Sequence, residues 1–215
     1  MKRPGKVKIS PRKAPRQARS TRLVGDVLQA AARVLAREGA RRFTTARVAE
    51  AAGVSVGSLY QYFPNKEALL FRLQLDEWQH TGALLDGILA DVSRPPLDRV
   101  RSVVHEFFRS ECEEAELRVA LGDAAPLYRD AAETSEHRAA GKKRSDLFMR
   151  EALPGIAVRQ RALVADVVMT TMSSVGKAVS EQNRSKDEID RVAAAVADML
   201  CCYLSAVASG DFRRA

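Results

Sequence analysis

The chain has 215 residues, of which 46% are hydrophobic and 29% are charged, an ordinary balance for a soluble protein with a sizeable core. No uninterrupted apolar run approaches the roughly 18 residues of a membrane span, and no signal-peptide core begins the sequence. Three cysteines make no disulfide framework and fit a reduced compartment. We therefore expect a cytoplasmic protein that makes no contact with a membrane.

The first 22 residues are strongly basic. They carry nine of the 35 basic residues and no acid, which leaves 26 basic against 27 acidic residues in the rest of the chain. Pro4, Pro11 and Pro15 interrupt this segment, so we expect a disordered arm over residues 1–19. Such an arm is either a solubilising tail or a segment that lies along phosphates or in a minor groove. The segment that follows it favours the second interpretation.

A first helix is predicted from Ser20, and Glu38-Gly39 closes it. Its apolar residues recur at helical spacing and predict a buried stripe: Leu23, Val27, Ala31, Val34 and Leu35. Together with Phe43, this stripe predicts a small core against which the next two helices are held.

Residues 44–66 read TTARVAEAAGVSVGSLYQYFPNK and predict a helix, a tight turn and a second helix. We expect Thr45 to cap the first of these helices, because its hydroxyl can accept from free backbone N–H groups. Gly53, which is free to adopt positive φ, should end it. Ser55 should then cap a second helix over Val56–Phe63, and Asn65 should cap the helix that follows.

This second helix has two different faces. Leu59 and Phe63 share the side that should face the core. The opposite side is small or hydrogen-bonding and comprises Val56, Gly57, Ser58, Tyr60, Gln61 and Tyr62. Two helices joined by a glycine-containing turn are also a common structural unit. Two tyrosines and a glutamine beside a helix N-terminus suited to phosphate shift the balance towards nucleic-acid binding.

The same region matches a known family at several points in the expected order. The matching segments are Phe43-Thr44-Thr45, Val48-Ala49, Ala52-Gly53-Val54-Ser55, Leu59-Tyr60-Gln61-Tyr62-Phe63 and Asn65-Lys66-Glu67-Ala68-Leu69-Leu70. Through them, residues 21–73 resemble the DNA-binding domain of TetR-type transcriptional repressors. The resemblance implies an all-α fold, with a three-helix helix-turn-helix domain over 20–66 and a helical ligand-binding and dimerisation domain over 67–215.

If the resemblance holds, the second helix enters the major groove of double-stranded DNA. Gln61 is then the best candidate for bidentate reading of adenine, and Val56 for contact with a thymine methyl. Hydroxyl and basic groups around them are placed for phosphates. The predicted DNA-binding residues are Arg22, Thr45, Arg47, Ser55, Val56, Gly57, Ser58, Tyr60, Gln61, Tyr62 and Lys66. For each the alternative is a solvated helix face, and that alternative is strongest for Arg47.

The last two predicted helices, 159–183 and the one that follows a capping box at Ser185 and Glu188, have more apolar face than one protomer needs. We expect a two-fold interface here, with a monomeric core as the alternative. Its predicted residues are Val168, Met172, Val175, Val179, Val192, Val196, Met199 and Tyr203. A dimer also suits DNA reading, because paired half-sites multiply discrimination.

The middle helices should enclose a cavity for an apolar or aromatic small molecule. The candidate lining residues are Trp78, Phe107, Phe108, Leu121, Leu127, Tyr128, Phe148, Met149, Met169 and Met172. The alternative is that they are plain core. His80, His105 and His137 show no metal-ligand spacing, so we expect no metal, and no motif predicts a cofactor.

The leading hypothesis is a homodimeric repressor that a small ligand releases from a palindromic operator. A second is an enzyme with a helix-turn-helix appendage; against it, no nucleophile–base pair, glycine-rich phosphate loop or paired carboxylates occur with convincing spacing. A third is an architectural or partner-binding DNA protein without a small ligand. DNA-contacting residues do not by themselves distinguish repression from activation.

Overall fold

The computed structural model describes Ile9 and residues 18–127, 132–182 and 184–210. Over these residues the secondary structure is helical without strands, which confirms the all-α prediction. The helices are α1 Ala18–Arg42, α2 Thr45–Ala51, α3 Val56–Tyr60, α4 Lys66–Leu89, α5 Pro96–Glu113, α6 Ala115–Ala124, α7 Ala132–Ala152, α8 Val158–Ser180 and α9 Lys186–Ser209. Apart from Ile9 and the start of α1, the predicted basic arm lies outside the described residues.

The helices group into two compact units. The first contains the described residues up to Gln79 together with Glu116–Ser135, and the second contains His80–Ala115 and the described residues from Glu136 onward. Helix α4 contributes residues to both units. The boundary expected at 66–67 falls inside the first unit, because the first turns of α4 belong to its core.

The core of the first unit holds α2 and α3 in place. The predicted α1 stripe supplies four fully or almost fully buried side chains to it: Val27, Ala31, Val34 and Leu35. Phe43, Val48 and Leu59 are each 0% exposed and add the contacts from the next two helices. These side chains are closed off from solvent. The small core they form therefore holds α2 and α3 in fixed positions.

Gly53 ends helix α2, as predicted. Gly53 has φ of 66°, in the region that favours glycine. Its N–H donates to the carbonyl of Glu50 at 3.1 Å, and the N–H of Val54 donates to the carbonyl of Ala49 at 3.0 Å. These two bonds form a Schellman motif, which satisfies carbonyls at the end of α2 and directs the chain into α3.

The predicted cap of α2 is wrong by one residue. The N-cap is Thr44, whose backbone is extended and whose side-chain oxygen accepts from the N–H of Arg47 at 3.3 Å. Thr45 is instead the first helical residue. The helix therefore begins directly after the extended residue that follows buried Phe43.

Helix α3 is shorter than predicted, since it ends at Tyr60 rather than at Phe63. The N–H groups of Tyr62 and Phe63 both donate to the carbonyl of Leu59 at 3.0 Å, which tightens the chain after the helix. Phe63 precedes Pro64, and a residue before proline is disfavoured in the helical region. The shortening leaves Leu59 and Phe63 buried, as predicted.

The second unit is built on α5, which lies against both α8 and α9. Its buried cluster takes Val104 and Phe108 from α5, Val168 and Met172 from α8, and Leu200 from α9, among others. The predicted capping box at the start of α9 is confirmed: the N–H of Ser185 donates to Glu188 at 2.8 Å, and the N–H of Glu188 donates back to the hydroxyl at 3.4 Å.

Helices α8 and α9 are both long and rich in apolar residues. Although neither contains an uninterrupted apolar run, each is long and apolar enough to cross a membrane by length and composition. Within the described chain only 33% and 39% of their most apolar windows are buried. The large apolar side chains that these helices leave exposed in the protomer are Val158, Leu163, Val167, Met169 and Met199.

Close packing of α5 and α8 depends on one glycine. A Cβ atom added at Gly176 would lie 2.7 Å from a ring carbon of Phe107, which is itself buried. We expect Gly176→Ala to lower the free energy of unfolding by about 1–2 kcal/mol, because the overpacking cost exceeds the helix-propensity gain of about 1 kcal/mol. Urea denaturation measures the change.

Gly87 provides the matched control for this substitution. It lies on α4, is exposed, and has no atom within 4 Å of an added Cβ. Gly87→Ala should therefore leave stability unchanged or raise it by up to about 1 kcal/mol. Equal effects of the two substitutions would mean that α5 and α8 adjust without cost.

Candidate nucleic-acid interface

Helix α3 presents a polar face at the surface of the first unit. Its inner side is anchored by Leu59, which is fully buried. On the outer side, Val56 and Tyr60 are each 38% exposed, and Gly57 and Gln61 are also exposed. The short helix is thus held by its apolar side, while a methyl-bearing, an amide and a phenolic side chain remain available to a partner.

Two serine hydroxyls order the start of α3. Ser55 is the N-cap, as predicted, and its oxygen accepts from the N–H of Ser58 at 3.0 Å. The two hydroxyls are also hydrogen-bonded to each other at 2.8 Å. The cap fixes the first turn of the helix and places both hydroxyls beside Gly57.

A hydrogen bond links α2 directly to α3. The hydroxyl of Thr45, at the start of α2, lies 3.0 Å from the hydroxyl of Tyr60, at the end of α3. This bond sets the orientation of the tyrosine ring, which would otherwise be free to rotate at the surface. It also brings two hydroxyl groups together, a pair suited to a phosphate oxygen.

Arg47 is held against the end of α1. It forms an ion pair with Glu38 and donates to the carbonyl of Arg42 at 3.4 Å. The pKa of the Glu38 carboxyl lies below its ordinary value, first because of a hydrogen bond from Arg37 and also because of the charge of Arg47. These contacts hold Arg47 within the first unit, and its DNA role stays a prediction.

The remaining predicted DNA-binding residues lie on α1, just after α3 and at the start of α4. Asn65 caps α4, as predicted, since its side-chain oxygen accepts from the N–H of Ala68 at 2.8 Å. Lys66 begins α4 and is partly exposed, Tyr62 is half-buried against the core, and Arg22 is exposed on α1. None of the eleven predicted DNA-binding residues is buried.

Sequence reasoning omitted two basic residues near this surface. Arg41 and Arg42 are exposed in the last turn of α1, immediately before Phe43. Two adjacent basic residues directly before the helix-turn-helix segment are apparent in the sequence. They could have been predicted to contact phosphate, because basic side chains bind the DNA backbone.

The second unit contains a cavity of about 120 Å³. Among the predicted ligand residues, Phe148, Met149, Met169 and Met172 line it. Sequence reasoning missed most of its apolar wall, which α4, α5 and α8 supply at helical spacing: Leu85, Leu89, Val100, Val103, Val104 and Val168. It also missed the polar side chains of Asp86, Arg144 and Ser145.

The other predicted ligand residues lie elsewhere. Phe107 and Phe108 are buried in the core of the second unit, in edge-to-face contact at 6.3 Å between ring centroids. Leu121 is buried in the core of the first unit, and Leu127 is exposed. Trp78 is half-buried on α4 in the first unit and does not line this cavity. Tyr128 lies outside the described residues.

The predicted dimer face also needs correction. Val168, Met172, Val179 and Val196 are at most 8% exposed, because they lie on the inward sides of α8 and α9. Val175, Val192 and Tyr203 are partly buried against the same core. Met199 on α9 is 50% exposed. On α8, Leu163 is 61% exposed and Val167 is 38% exposed.

Over the described ranges, no three His, Cys, Asp or Glu side chains are grouped so as to hold a metal ion. The expectation of no metal and no cofactor stays a prediction. The arrangement of the first unit, with an exposed α3 after a capped turn, is that of a nucleic-acid-binding helix-turn-helix.

Comparison with known proteins agrees with this geometry. Residues 27–73 match the family described as "Bacterial regulatory proteins, tetR family", and residues 95–207 match "Tetracyclin repressor-like, C-terminal domain". Over 81 residues the chain is 36% identical to the nucleoid occlusion factor SlmA of Vibrio campbellii, which covers 37% of this chain. The chain spans about two fifths (41%) of the length of that relative.

Solved structures share the fold at low sequence identity. A transcriptional regulator from Pseudomonas aeruginosa aligns with a TM-score of 0.67 at 16% identity, covering 87% of this chain and 93% of the other. The TetR family regulator PfmR from Thermus thermophilus aligns with a TM-score of 0.65 at 18% identity, covering 81% and 96%. Regulators of this kind are DNA-binding transcription factors and not enzymes. The chain belongs to the TetR family of bacterial regulatory proteins.

Proposed function

We propose that the protein is a cytoplasmic homodimeric repressor that reads a palindromic operator through α3 and leaves it when a small apolar or aromatic molecule binds the second unit. The observation that carries this proposal is the exposed outer face of α3, held by buried Leu59 and oriented by the bond between Thr45 and Tyr60. Sequence is read from base edges in the major groove, where a short helix of this kind fits.

In this proposal Gln61 reads a base and Lys66 contacts phosphate. Gln61 is exposed directly after α3, where its amide can pair with adenine in a bidentate fashion. Lys66 lies at the start of α4, beside the cap formed by Asn65. Thr45, Ser58, Tyr60, Tyr62 and Arg22 supply further phosphate contacts, and Val56 faces a thymine methyl.

Gln61→Ala is expected to cost about 1–3 kcal/mol of binding at one base pair and to relax the preference there. Lys66→Ala should weaken binding to all sequences alike and reduce the slope of log K against log salt by about 1. Fluorescence anisotropy with the preferred site and with sites changed at single positions measures both effects. Sequence-blind losses of equal size from both variants would refute these two roles.

The dimer in this proposal forms through the outer faces of α8 and α9. Leu163 and Val167 on α8 and Met199 on α9 are apolar and exposed in the single protomer. Exposed serine and alanine residues lie on the same helices and permit close approach: Ala162, Ser173, Ser174, Ala178 and Ala195. A two-fold axis here would cover the apolar surface that the protomer leaves open.

Release by ligand requires that the ligand and DNA favour different conformations of the dimer. If ligand weakens DNA binding by some factor, DNA must weaken ligand binding by the same factor. The cavity in the second unit is the proposed ligand-binding site. Helix α4 is continuous and has residues in both units.

The test of the proposed function is selection of DNA by the full chain from a random pool. A palindromic site with half-sites one helical turn apart, or a multiple of it, is expected for a dimer that reads successive major grooves. Selection of an asymmetric site would contradict the two-fold dimer, and selection of no sequence would contradict specific reading by α3.

A second candidate is a DNA-binding factor that acts on the nucleoid without a small ligand. The resemblance to the nucleoid occlusion factor SlmA over 81 residues favours it. The two candidates differ in their response to ligand: a compound that binds the second unit lowers affinity for the selected site only in the first.

A further inference from the structure

The cavity of the second unit has an apolar floor and a polar rim. Its floor includes Val104 and Met172, which are 1% and 2% exposed. Asp86, Arg144 and Met169 line the same cavity but are partly exposed, with Met169 at 44%. The cavity therefore has buried apolar residues at one end and partly exposed residues at the other.

The polar rim is electrically balanced. Arg144 Nε lies 2.8 Å from Asp86 Oδ1, so a guanidinium of α7 is paired with a carboxylate of α4. His137, one helical turn before Gly141 on α7, has a pKa below its ordinary value because of burial and the nearby charge of Arg144. The charges of Arg144 and Asp86 cancel, so the pair itself carries no net charge.

Two glycines lie beside this guanidinium. A Cβ atom added at Gly82 on α4 would lie 3.4 Å from Arg144 Nη2, and one added at Gly141 on α7 would lie 3.8 Å from it. Both glycines line the cavity.

We propose that this cavity binds a neutral molecule of about one aromatic ring that carries a single hydroxyl group, with the ring against Val104 and Met172 and the hydroxyl at the Asp86–Arg144 pair. This inference rests on the proposed function, whose ligand class it narrows. The volume is close to that of the roughly 150 Å³ apolar cavity that holds benzene in another protein. Three methionines, Met149, Met169 and Met172, line the cavity, and their flexible side chains can adapt to the outline of the ring.

The balance of the rim selects against charged ligands. A hydroxyl can donate to the carboxylate of Asp86 and accept from an N–H of Arg144, so it joins the ion pair without breaking it. A ligand carboxylate would face the like charge of Asp86, and a ligand ammonium would face that of Arg144. Either would add an unbalanced charge beside a pair that is already neutral.

Titration calorimetry of the full chain with four molecules of similar size tests the proposal at pH 7: p-cresol, toluene, p-toluate and 4-methylbenzylammonium. We expect p-cresol to bind about tenfold more tightly than toluene, the effect of one hydrogen bond to a charged group. Both charged molecules should bind more weakly than p-cresol. Tighter binding of either charged molecule, or no binding of p-cresol, overturns the proposal.

Variants locate the site. Met169→Trp places a large ring at the half-exposed rim and should abolish p-cresol binding, whereas Leu147→Trp, at a 57% exposed position of α7 that does not line the cavity, should not. Asp86→Asn should remove most of the preference for p-cresol over toluene while toluene still binds. Retention of the full preference in Asp86→Asn, or of p-cresol binding in Met169→Trp, contradicts the assigned orientation.

The same samples separate this inference from the proposed function. If the protein binds its selected DNA but not p-cresol, the ligand class is wrong and DNA reading stands. If p-cresol binds as described but leaves DNA affinity unchanged, the site is supported and its role in release is wrong. Anisotropy with the selected DNA, with and without saturating p-cresol, distinguishes these outcomes.

Discussion

The double substitution Leu163→Asp/Met199→Asp is expected to make the protein monomeric and to weaken binding to a palindromic site by about a hundredfold or more. Each two-fold interface would bury four added carboxylates, two from each protomer, in surroundings that are apolar on α8 and α9. An unpaired charge buried in such a place costs several kcal/mol, and each 1.4 kcal/mol is a tenfold change in affinity. A monomer retains only one reader helix for one half-site.

The protomer itself should tolerate these substitutions. Leu163 is 61% exposed and Met199 is 50% exposed, so aspartate at either position stays in water when the chain is alone. Circular dichroism should therefore show unchanged helix content at high protein concentration. Sedimentation equilibrium measures the oligomeric state, and anisotropy with the selected site measures the loss of binding.

Val92→Asp is the control for added charge. Val92 is 78% exposed in the connection between α4 and α5, where an aspartate should leave both oligomeric state and DNA affinity unchanged. A double variant that remains dimeric would place the two-fold contact on another surface. A monomer that keeps full affinity for the palindrome would separate dimerisation from operator reading.

Local chemistry was sufficient to predict much of the helix-turn-helix. Gly53, Ser55 and Asn65 act where the sequence places them, because each effect depends on backbone groups within three or four residues. The cap of α2 was misplaced between two adjacent threonines. Either hydroxyl can cap a helix, and buried Phe43 decides the register through a tertiary contact that local pattern does not contain.

Helical period was less informative about α8 and α9. It shows that Val168 and Met172 share a face, but not whether the protomer or a second copy covers that face. The structure assigns this face to the protomer core, and leaves Leu163, Val167 and Met199 exposed. The cavity illustrates the same limit, since the partners Asp86 and Arg144 are far apart in sequence and only the packing of α7 against α4 brings them together.

The least predictable residue is Arg99, a charged side chain that is 0% exposed. Its guanidinium donates to the carbonyl of Leu89 at 2.6 Å, forms an ion pair with Glu151, 52 residues away, and lies 5.4 Å from the centroid of the Phe148 ring. Its Nε has no hydrogen-bond partner within the described chain. The buried charge therefore depends on Leu89 and Glu151.

Because Arg99 is buried and Glu151 is exposed, removing one member of the ion pair should change stability by a different amount from removing the other. Glu151→Ala leaves a buried guanidinium without its counter-charge and is expected to lower the free energy of unfolding by about 3–5 kcal/mol. Arg99→Met removes the buried charge instead, and the side chain of Glu151, which is 45% exposed, turns to water. The second change should cost about 1–3 kcal/mol, chiefly for the unpaired carbonyl of Leu89. Urea denaturation at pH 7 measures both.

The double variant Arg99→Met/Glu151→Ala decides whether the buried charge is the cause. Once the guanidinium is gone, loss of the carboxylate should cost little, so the double variant should be more stable than Glu151→Ala alone. Two substitutions at one contact are then strongly non-additive, as expected for partners that interact directly. Additive losses would show instead that Glu151 stabilises the end of α7 by itself and that Arg99 tolerates burial through Leu89 and the Phe148 ring.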